Sequence, residues 1–126
     1  IASGADAAMI KRLFRSDGKI FLATEPVDMR KSINGLAAIV QNDFDLDLYE
    51  NAMFVFINKA KDKVKILYWD QDGFIVYYKR REQGRFAWPS RFREGKVNEV
   101  TYRDLQQFLK GLMMESYIPK PSFVVC

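Results

Sequence analysis

The sequence predicts an α+β domain in which a small antiparallel sheet, a three-stranded meander plus one or two added strands, packs against two helices. Three observations predict this class. Short apolar runs are separated by turn-forming residues, as in strands. Two other segments repeat apolar residues at helical spacing. Of the 126 residues, 48% are hydrophobic, which is enough for one modest core.

The N-terminal part of the fold is predicted to contain one strand and one helix. Lys19–Ala23 is apolar and follows the turn pair Asp17-Gly18, so it predicts a first strand. A loop at 24–27 follows, and Asp28 is the expected N-cap of an amphipathic helix of three to four turns. The apolar residues of that helix recur at Met29, Ile33, Leu36, Ala37 and Val40.

The meander is predicted after a polar, acidic connector at 44–51. Met53–Ile57 is continuously apolar, as expected for a strand that is covered on both faces. Lys63–Trp69 begins with alternating basic and apolar residues, which indicates a second strand. Phe74–Arg81 pairs with it through the turn Asp70–Gly73, because an Asp-Gly pair favours a hairpin.

The C-terminal part is predicted to contain a last short strand and a second helix. Arg85–Trp88 is the candidate strand, ended by Pro89. Thr101 and Asp104 have the spacing of a capping box, which predicts a helix from there through Met113. Its apolar stripe consists of Leu105, Phe108, Leu109 and Leu112.

We divide the chain into an N-terminal extension at 1–17, a single α+β domain at 18–118 and a C-terminal tail at 119–126. The chain does not begin with methionine, and Met9 could serve as the natural start. Residues 1–8 are therefore treated as a foreign or ragged leader and are excluded from the fold argument.

The composition argues against an enzyme. The chain has no histidine, which excludes histidine-dependent catalysis and histidine-ligated metals. Its one cysteine, Cys126, cannot form a disulfide or a zinc cluster within the chain. We expect no catalytic residues, no metal, no cofactor and no small-molecule substrate. The longest apolar runs are too short to span a bilayer and no signal pattern is present, so we expect a cytoplasmic protein without a membrane partner.

Charge is distributed unevenly along the chain. The formal net charge is +4, from 20 basic and 16 acidic residues. Tyr77–Arg103 holds eight basic residues against three acids, whereas no basic residue occurs between Ser32 and Asn58. A basic pole of this kind suggests an anionic partner. The acidic cluster in the other segment consists of Asp43, Asp45, Asp47 and Glu50.

The basic segment interleaves cations with aromatic rings, a pattern typical of nucleic-acid-binding surfaces. In the alternative interpretation, the rings complete the core and the cations are solvated. The lysines at 59, 61, 63 and 65 could extend the surface or guard an edge strand against aggregation. The candidate nucleic-acid or partner-binding residues in this segment are Lys79, Arg80, Arg81, Arg85, Phe86, Trp88 and Arg91.

Arg30 and Lys31 form a second candidate contact. Two cations in the first turn of the predicted helix oppose the helix dipole, which favours anions at that end. Two interpretations remain open. The cations pair with Asp28 or Glu25, or they share a bound phosphate with the helix N-terminus.

The carboxylates could be imagined as a metal site for nucleic-acid cleavage, either Asp70 with Asp72 or Asp28 with Glu82. A two-metal site needs several acids that converge from different elements. An Asp-x-Asp-Gly sequence is explained by the geometry of a hairpin turn alone. The sequence therefore favours a structural turn over a nuclease built on Asp28, Asp70 and Glu82.

A series of ordered motifs resembles the TnpB accessory proteins of bacterial insertion sequences of family sixty-six. The resemblance covers roughly residues 18–113, although the connector at 45–51 is more acidic than the family's pattern. The motifs are Leu22-Ala23-Thr24, Val27-Asp28-Met29-Arg30-Lys31, Gly35-Leu36, Phe54-Val55-Phe56, Lys63–Asp70, Gly73-Phe74, Tyr78-Lys79-Arg80 and Glu82–Pro89.

The resemblance implies an accessory protein, encoded beside a separate transposase, that assists transposition and DNA recombination without established catalysis. We expect it to bind DNA at transposon ends. The alternative is a protein adaptor that binds the transposase through its basic and aromatic face, with Tyr77, Phe86 and Trp88 as buried anchors.

Overall fold

The computed structural model describes residues 18–88 and 95–110. A five-stranded sheet has the order β4-β3-β2-β1-β5, and two helices complete the α+β fold that the sequence predicts. The strands are β1 (Lys19–Ala23), β2 (Ala52–Ile57), β3 (Lys63–Asp70), β4 (Gly73–Arg80) and β5 (Val97–Val100). The helices are α1 (Ile33–Ala38), which continues as a π-helical turn at Ile39–Asp43, and α2 (Tyr102–Lys110). The candidate Arg91, the end of the second helix and both terminal segments lie outside the described residues.

The sheet is mixed and mostly antiparallel. The meander β2-β3-β4 is antiparallel, as predicted. The pair β1-β5 is also antiparallel, whereas β1 and β2 are parallel, with Phe21 opposite Phe54. The parallel pair follows from α1, because a helix between two neighbouring strands carries the chain back to the same end of the sheet.

The sheet is covered on both faces. Phe21, Phe54 and Phe56 belong to the core on the α1 side, whereas Met53 and Val55 belong to the core on the α2 side. Every residue of β2 is buried, which explains why its sequence is apolar without alternation. No helix in the described part of the chain is long and apolar enough to cross a membrane.

The predicted start of the first helix is wrong. Helix α1 begins at Ile33, and Ser32 occupies the N-cap without a side-chain capping bond. Asp28 instead closes a turn before the helix, where its Oδ1 accepts the Arg30 backbone N–H at 2.9 Å. The Val27 N–H donates to the Ile57 carbonyl at 2.8 Å, so the end of β2 holds this turn in place. Arg30 therefore lies in the turn that precedes the helix.

The predicted strand at 85–88 is also wrong. This segment has no strand pairing, and the fifth strand is β5, which pairs with β1. The Phe86 N–H donates to the Lys61 carbonyl at 2.8 Å, and the Ala87 N–H donates to the Phe108 carbonyl at 3.1 Å. Single bonds to the β2–β3 turn and to α2 replace a strand ladder, because the segment crosses between these elements.

The predicted capping box of α2 is confirmed. The Thr101 N–H donates to Asp104 Oδ2 at 3.0 Å, and the Asp104 N–H donates to Thr101 Oγ1 at 3.1 Å. Two backbone donors at the helix start are thereby satisfied reciprocally.

Replacing Thr101 by alanine is expected to lower the free energy of unfolding by about 1 kcal/mol, because the exchange removes one half of the capping box. Urea denaturation followed by circular dichroism measures the change. Thr101→Ser is the control, because serine keeps the hydroxyl acceptor and should stay close to the wild type. Equal losses for the two variants would contradict the capping role.

Candidate nucleic-acid interface

Six cations meet at the end of the sheet where β2 turns into β3, and we call this group the basic end. Lys63 on β3 lies opposite Arg80 on β4. The Lys65 Nζ donates to the Lys31 carbonyl at 3.0 Å, which connects β3 to the turn before α1. Arg30, Lys59 and Lys63 line one open groove. The basic end thus consists of Arg30, Lys31, Lys59, Lys63, Lys65 and Arg80.

Three carboxylates pair with three of these cations. The Arg30 Nη2 lies 2.8 Å from Asp28 Oδ2. The Lys63 Nζ lies 3.5 Å from Asp62 Oδ1, and the Arg80 Nε lies 2.7 Å from Glu82 Oε2. Exposed pairs of this kind contribute about 0–1 kcal/mol to stability. Their main effect here is to orient the cations, and three of the six positive charges remain in excess at the basic end.

Two of these carboxylates, Asp28 and Asp62, have lowered pKa values. Hydrogen bonds from the side chain and the backbone of Arg30 lower the pKa of Asp28 to about 2. The Asp62 pKa is also lowered, chiefly because the Asn58 side-chain amide donates to its carboxylate at 2.7 Å. Both carboxylates therefore stay ionised at every pH at which the protein would meet a partner.

The structure bears on the two interpretations of Arg30 and Lys31. Arg30 makes three side-chain hydrogen bonds to Asp28, as in the local-pairing interpretation. A phosphate shared with the helix N-terminus does not fit, because α1 begins two residues after Lys31. Lys31 keeps an exposed side chain at the basic end.

Arg81, a candidate contact in the sequence, is a structural residue. Its Nη1 donates to the Lys110 carbonyl at 3.0 Å and to the Leu109 carbonyl at 3.5 Å. Its guanidinium carbon lies 5.6 Å from the centre of the Phe86 ring. Arg81 therefore links the end of β4 to α2.

The other basic candidates on and after β4 do not share one surface. Alternation places Arg80 on the α1 side of β4 and Lys79 on the α2 side, as the strand pattern predicts. Arg85 follows β4 with an exposed side chain. Of these three residues, Arg80 alone belongs to the basic end.

The aromatic candidates complete the core. Phe86 is 1% exposed and belongs to the cluster on the α2 side. Trp88 is half-buried, and its ring centre lies 5.1 Å from that of Phe108. Tyr77 packs against the same cluster. The structure therefore agrees with the alternative interpretation, in which the rings are core residues.

Acids gather at the opposite end of the sheet. Asp70 and Asp72 lie at the β3–β4 turn, and Glu50 borders the same pocket as Asp70. Strand β3 has eight residues, so this end lies roughly 24 Å from the basic end at about 3.4 Å per residue. Asp70 is thus far from Asp28 and Glu82, and these acids do not converge. Within residues 18–88 and 95–110, no three potential metal ligands are grouped together.

From the sequence, the lysines of β3 could either extend another surface or guard an edge strand. Alternation with Val64 and Ile66 already indicates that Lys63 and Lys65 share a face. Their meeting with Lys31 is a tertiary contact for which the sequence carries no local signal.

A family model described as IS66 Orf2 like protein matches residues 18–118. The chain belongs to this family. The expected resemblance is confirmed, and the IS66 Orf2-like family indicates an accessory protein of an insertion sequence, with transposition as the process.

Two proteins of Sinorhizobium fredii are similar to this IS66 Orf2-like chain, and both carry the name uncharacterized protein. The protein y4jC is 41% identical over 71 residues, which cover 56% of this chain and 61% of the relative. The protein y4hO is 31% identical over 94 residues, which cover 75% of this chain and 80% of the relative. No solved structure matches the chain.

Proposed function

We propose that this IS66 Orf2-like protein is a non-catalytic accessory factor that binds DNA at the ends of its insertion sequence through the basic end. One observation carries the proposal. The six cations of the basic end come from three separate segments of the chain and meet at one end of the sheet, and three carboxylates neutralise only half of the six. Such a surface attracts a polyanion.

The proposed contacts suit phosphates better than bases. Lysine ammonium groups act as point charges on the DNA backbone, and phosphate contacts position a protein without reading sequence. Affinity at the basic end is therefore expected to depend strongly on salt and weakly on sequence. Preference for transposon ends would then need a further partner, for which we propose the element's transposase.

The burial of the rings favours DNA over the adaptor alternative. An adaptor that docks through the basic and aromatic face needs large side chains that are accessible to a partner. Phe86 is 1% exposed, and Trp88 and Tyr77 pack against the protein's own core. DNA binding through the basic end needs accessible cations and does not need accessible rings.

A titration of the purified protein against a fluorescent transposon-end duplex tests the proposal. Three to six phosphate contacts predict a slope of about −3 to −5 for log affinity against log salt concentration, because each contact contributes about −0.9. An unrelated duplex of equal length is the control and should give a similar slope. No binding at low salt, or a slope near zero, would overturn the proposal. Co-purification with the transposase without DNA, together with either result, would support the adaptor.

A further inference from the structure

Strand β4 has an open outer edge in the described part of the chain. It is the last strand of the sheet and pairs there with β3 alone. Successive residues of an antiparallel strand direct their N–H and C=O groups to opposite sides. The Arg81 N–H donates to the Asp62 carbonyl at 2.7 Å, in the register of the β3–β4 ladder. The odd-numbered residues of β4 therefore hydrogen-bond to β3. The backbone N–H and C=O groups of Phe74, Val76 and Tyr78 point away from β3, toward the open edge.

Opposite charges flank this edge. Asp72 lies in the turn before β4, and Arg80, which also pairs with Glu82 of its own chain, ends the strand. Edge strands often carry charges that prevent pairing with another copy. Charges of one sign would have that effect, but here the two ends differ in sign. A second copy in the antiparallel direction would meet an opposite charge at each end.

We propose that two copies of this chain pair antiparallel through the outer edges of β4, around a two-fold axis at Val76. With the two-fold axis at Val76, the numbers of two opposite residues add up to 152. Opposite residues in an antiparallel pair lie on the same face of the sheet. Val76 then faces itself, Phe74 meets Tyr78, and Asp72 meets Arg80. On the other face, Ile75 meets Tyr77. These are the aromatic, apolar and opposite-charge pairs that stabilise antiparallel strands.

The two exposed rings among the described residues lie on or beside the edge that this pairing would cover. The described residues expose three large apolar side chains, Ile33, Tyr49 and Tyr78, at 38%, 55% and 51%. Tyr78 is on β4, and the Tyr49 ring centre lies 5.9 Å from that of Phe74. In the paired form, Tyr78 of each copy lies beside Phe74 of the other and extends the ring cluster that Phe74 forms with Tyr49. Two of the three exposed side chains thus border the same edge.

The dimer has closed two-fold symmetry, because the same edge serves both copies and no free β4 edge remains. It joins two five-stranded sheets into one continuous sheet. This inference does not depend on DNA binding, and its test contains no DNA.

Sedimentation equilibrium of the full chain measures the pairing. The wild type should shift with concentration from 14.7 kDa to twice that mass. Asp72→Arg and Arg80→Asp should each weaken the dimer by about tenfold or more, because each places like charges opposite one another twice. The double variant exchanges the two charges and should restore the dimer.

A backbone variant and a matched control complete the experiment. Tyr78→Pro should abolish the dimer and keep the fold, because proline removes an outward N–H and is tolerated on sheet edges. Arg103→Glu reverses an exposed charge in the first turn of α2, which follows β5 at the other edge of the sheet, and should leave the dimer unchanged. Thermal unfolding verifies that each variant is folded. A wild type that stays monomeric at the highest soluble concentration would overturn the proposal, as would a dimer that is insensitive to the single reversals and to Tyr78→Pro.

Discussion

Replacing Phe86 by alanine is expected to lower the free energy of unfolding by about 3–5 kcal/mol. The ring is 1% exposed and belongs to the core between the sheet and α2, with Leu105, Phe108 and Leu109. The Phe86 N–H is bonded to the Lys61 carbonyl, so the backbone is fixed and the site cannot easily collapse around a smaller side chain. A loss of this size is a large share of the 5–15 kcal/mol that typically holds a domain together.

Urea denaturation of Phe86→Ala measures this loss, and two variants calibrate it. Phe86→Leu keeps most of the apolar volume and should cost clearly less. Trp88→Ala removes a ring that is only half-buried and packs on Phe108, so it should also cost less than Phe86→Ala. If Phe86→Ala left stability unchanged and weakened binding to DNA or to the transposase, Phe86 would be a contact residue and its assignment to the core would fail.

The elements with strong local patterns could be predicted from the sequence. Strand β2 is predicted by its apolar run, and β3 by its alternation of lysines with Val64 and Ile66. The hairpin is predicted by the turn Asp70–Gly73, and the start of α2 by the spacing of Thr101 and Asp104. In each case, the residues that form the element also carry its signal.

The fifth strand could not be predicted in this way. Val97–Val100 contains Asn98 and Glu99, which resemble loop residues. Asn98 bonds the Thr24 hydroxyl at 3.0 Å, and Glu99 is exposed at the sheet edge, so tertiary pairing with β1 decides the structure. Arg85–Trp88 has the composition of a strand, but its rings fill a core whose other half is α2.

The start of α1 depended on a similar tertiary contact. Asp28 and Ser32 are both good N-cap residues, and the helical spacing of Met29 with Ile33 favoured the earlier one. The bond from the Val27 N–H to the Ile57 carbonyl holds the preceding segment extended against β2. The helix therefore begins only after the turn that Asp28 closes.

The sequence predicted that a basic surface exists, but it identified only some of the residues that form it. Of the candidates from the sequence, Arg30, Lys31 and Arg80 lie at the basic end. Arg81 carries the same charge but donates to the carbonyl of Lys110 on α2, 29 residues further along the chain. Charge can be read from a sequence, whereas the direction of each cation depends on which segments the fold brings beside it.

The second large effect is expected for Lys31→Glu combined with Lys59→Glu. Both side chains are exposed at the basic end, and neither belongs to an ion pair among the described residues, so they are free to meet phosphates. Losing two phosphate contacts should reduce the salt slope of DNA binding by about two. Affinity at low salt should fall by at least about tenfold, because two repulsive charges replace two attractive ones.

Lys19→Glu combined with Arg103→Glu is the matched control. Each reversal removes two charges, so both double variants take the formal net charge from +4 to 0. Lys19 begins β1 at the end where Asn51 precedes β2, and Arg103 lies in the first turn of α2, so both are away from the basic end. If the basic end binds DNA, the control should keep the wild-type salt slope although its net charge has changed equally. Equal losses in the two variants would mean that binding follows net charge alone, and the basic end would lose its role as the interface.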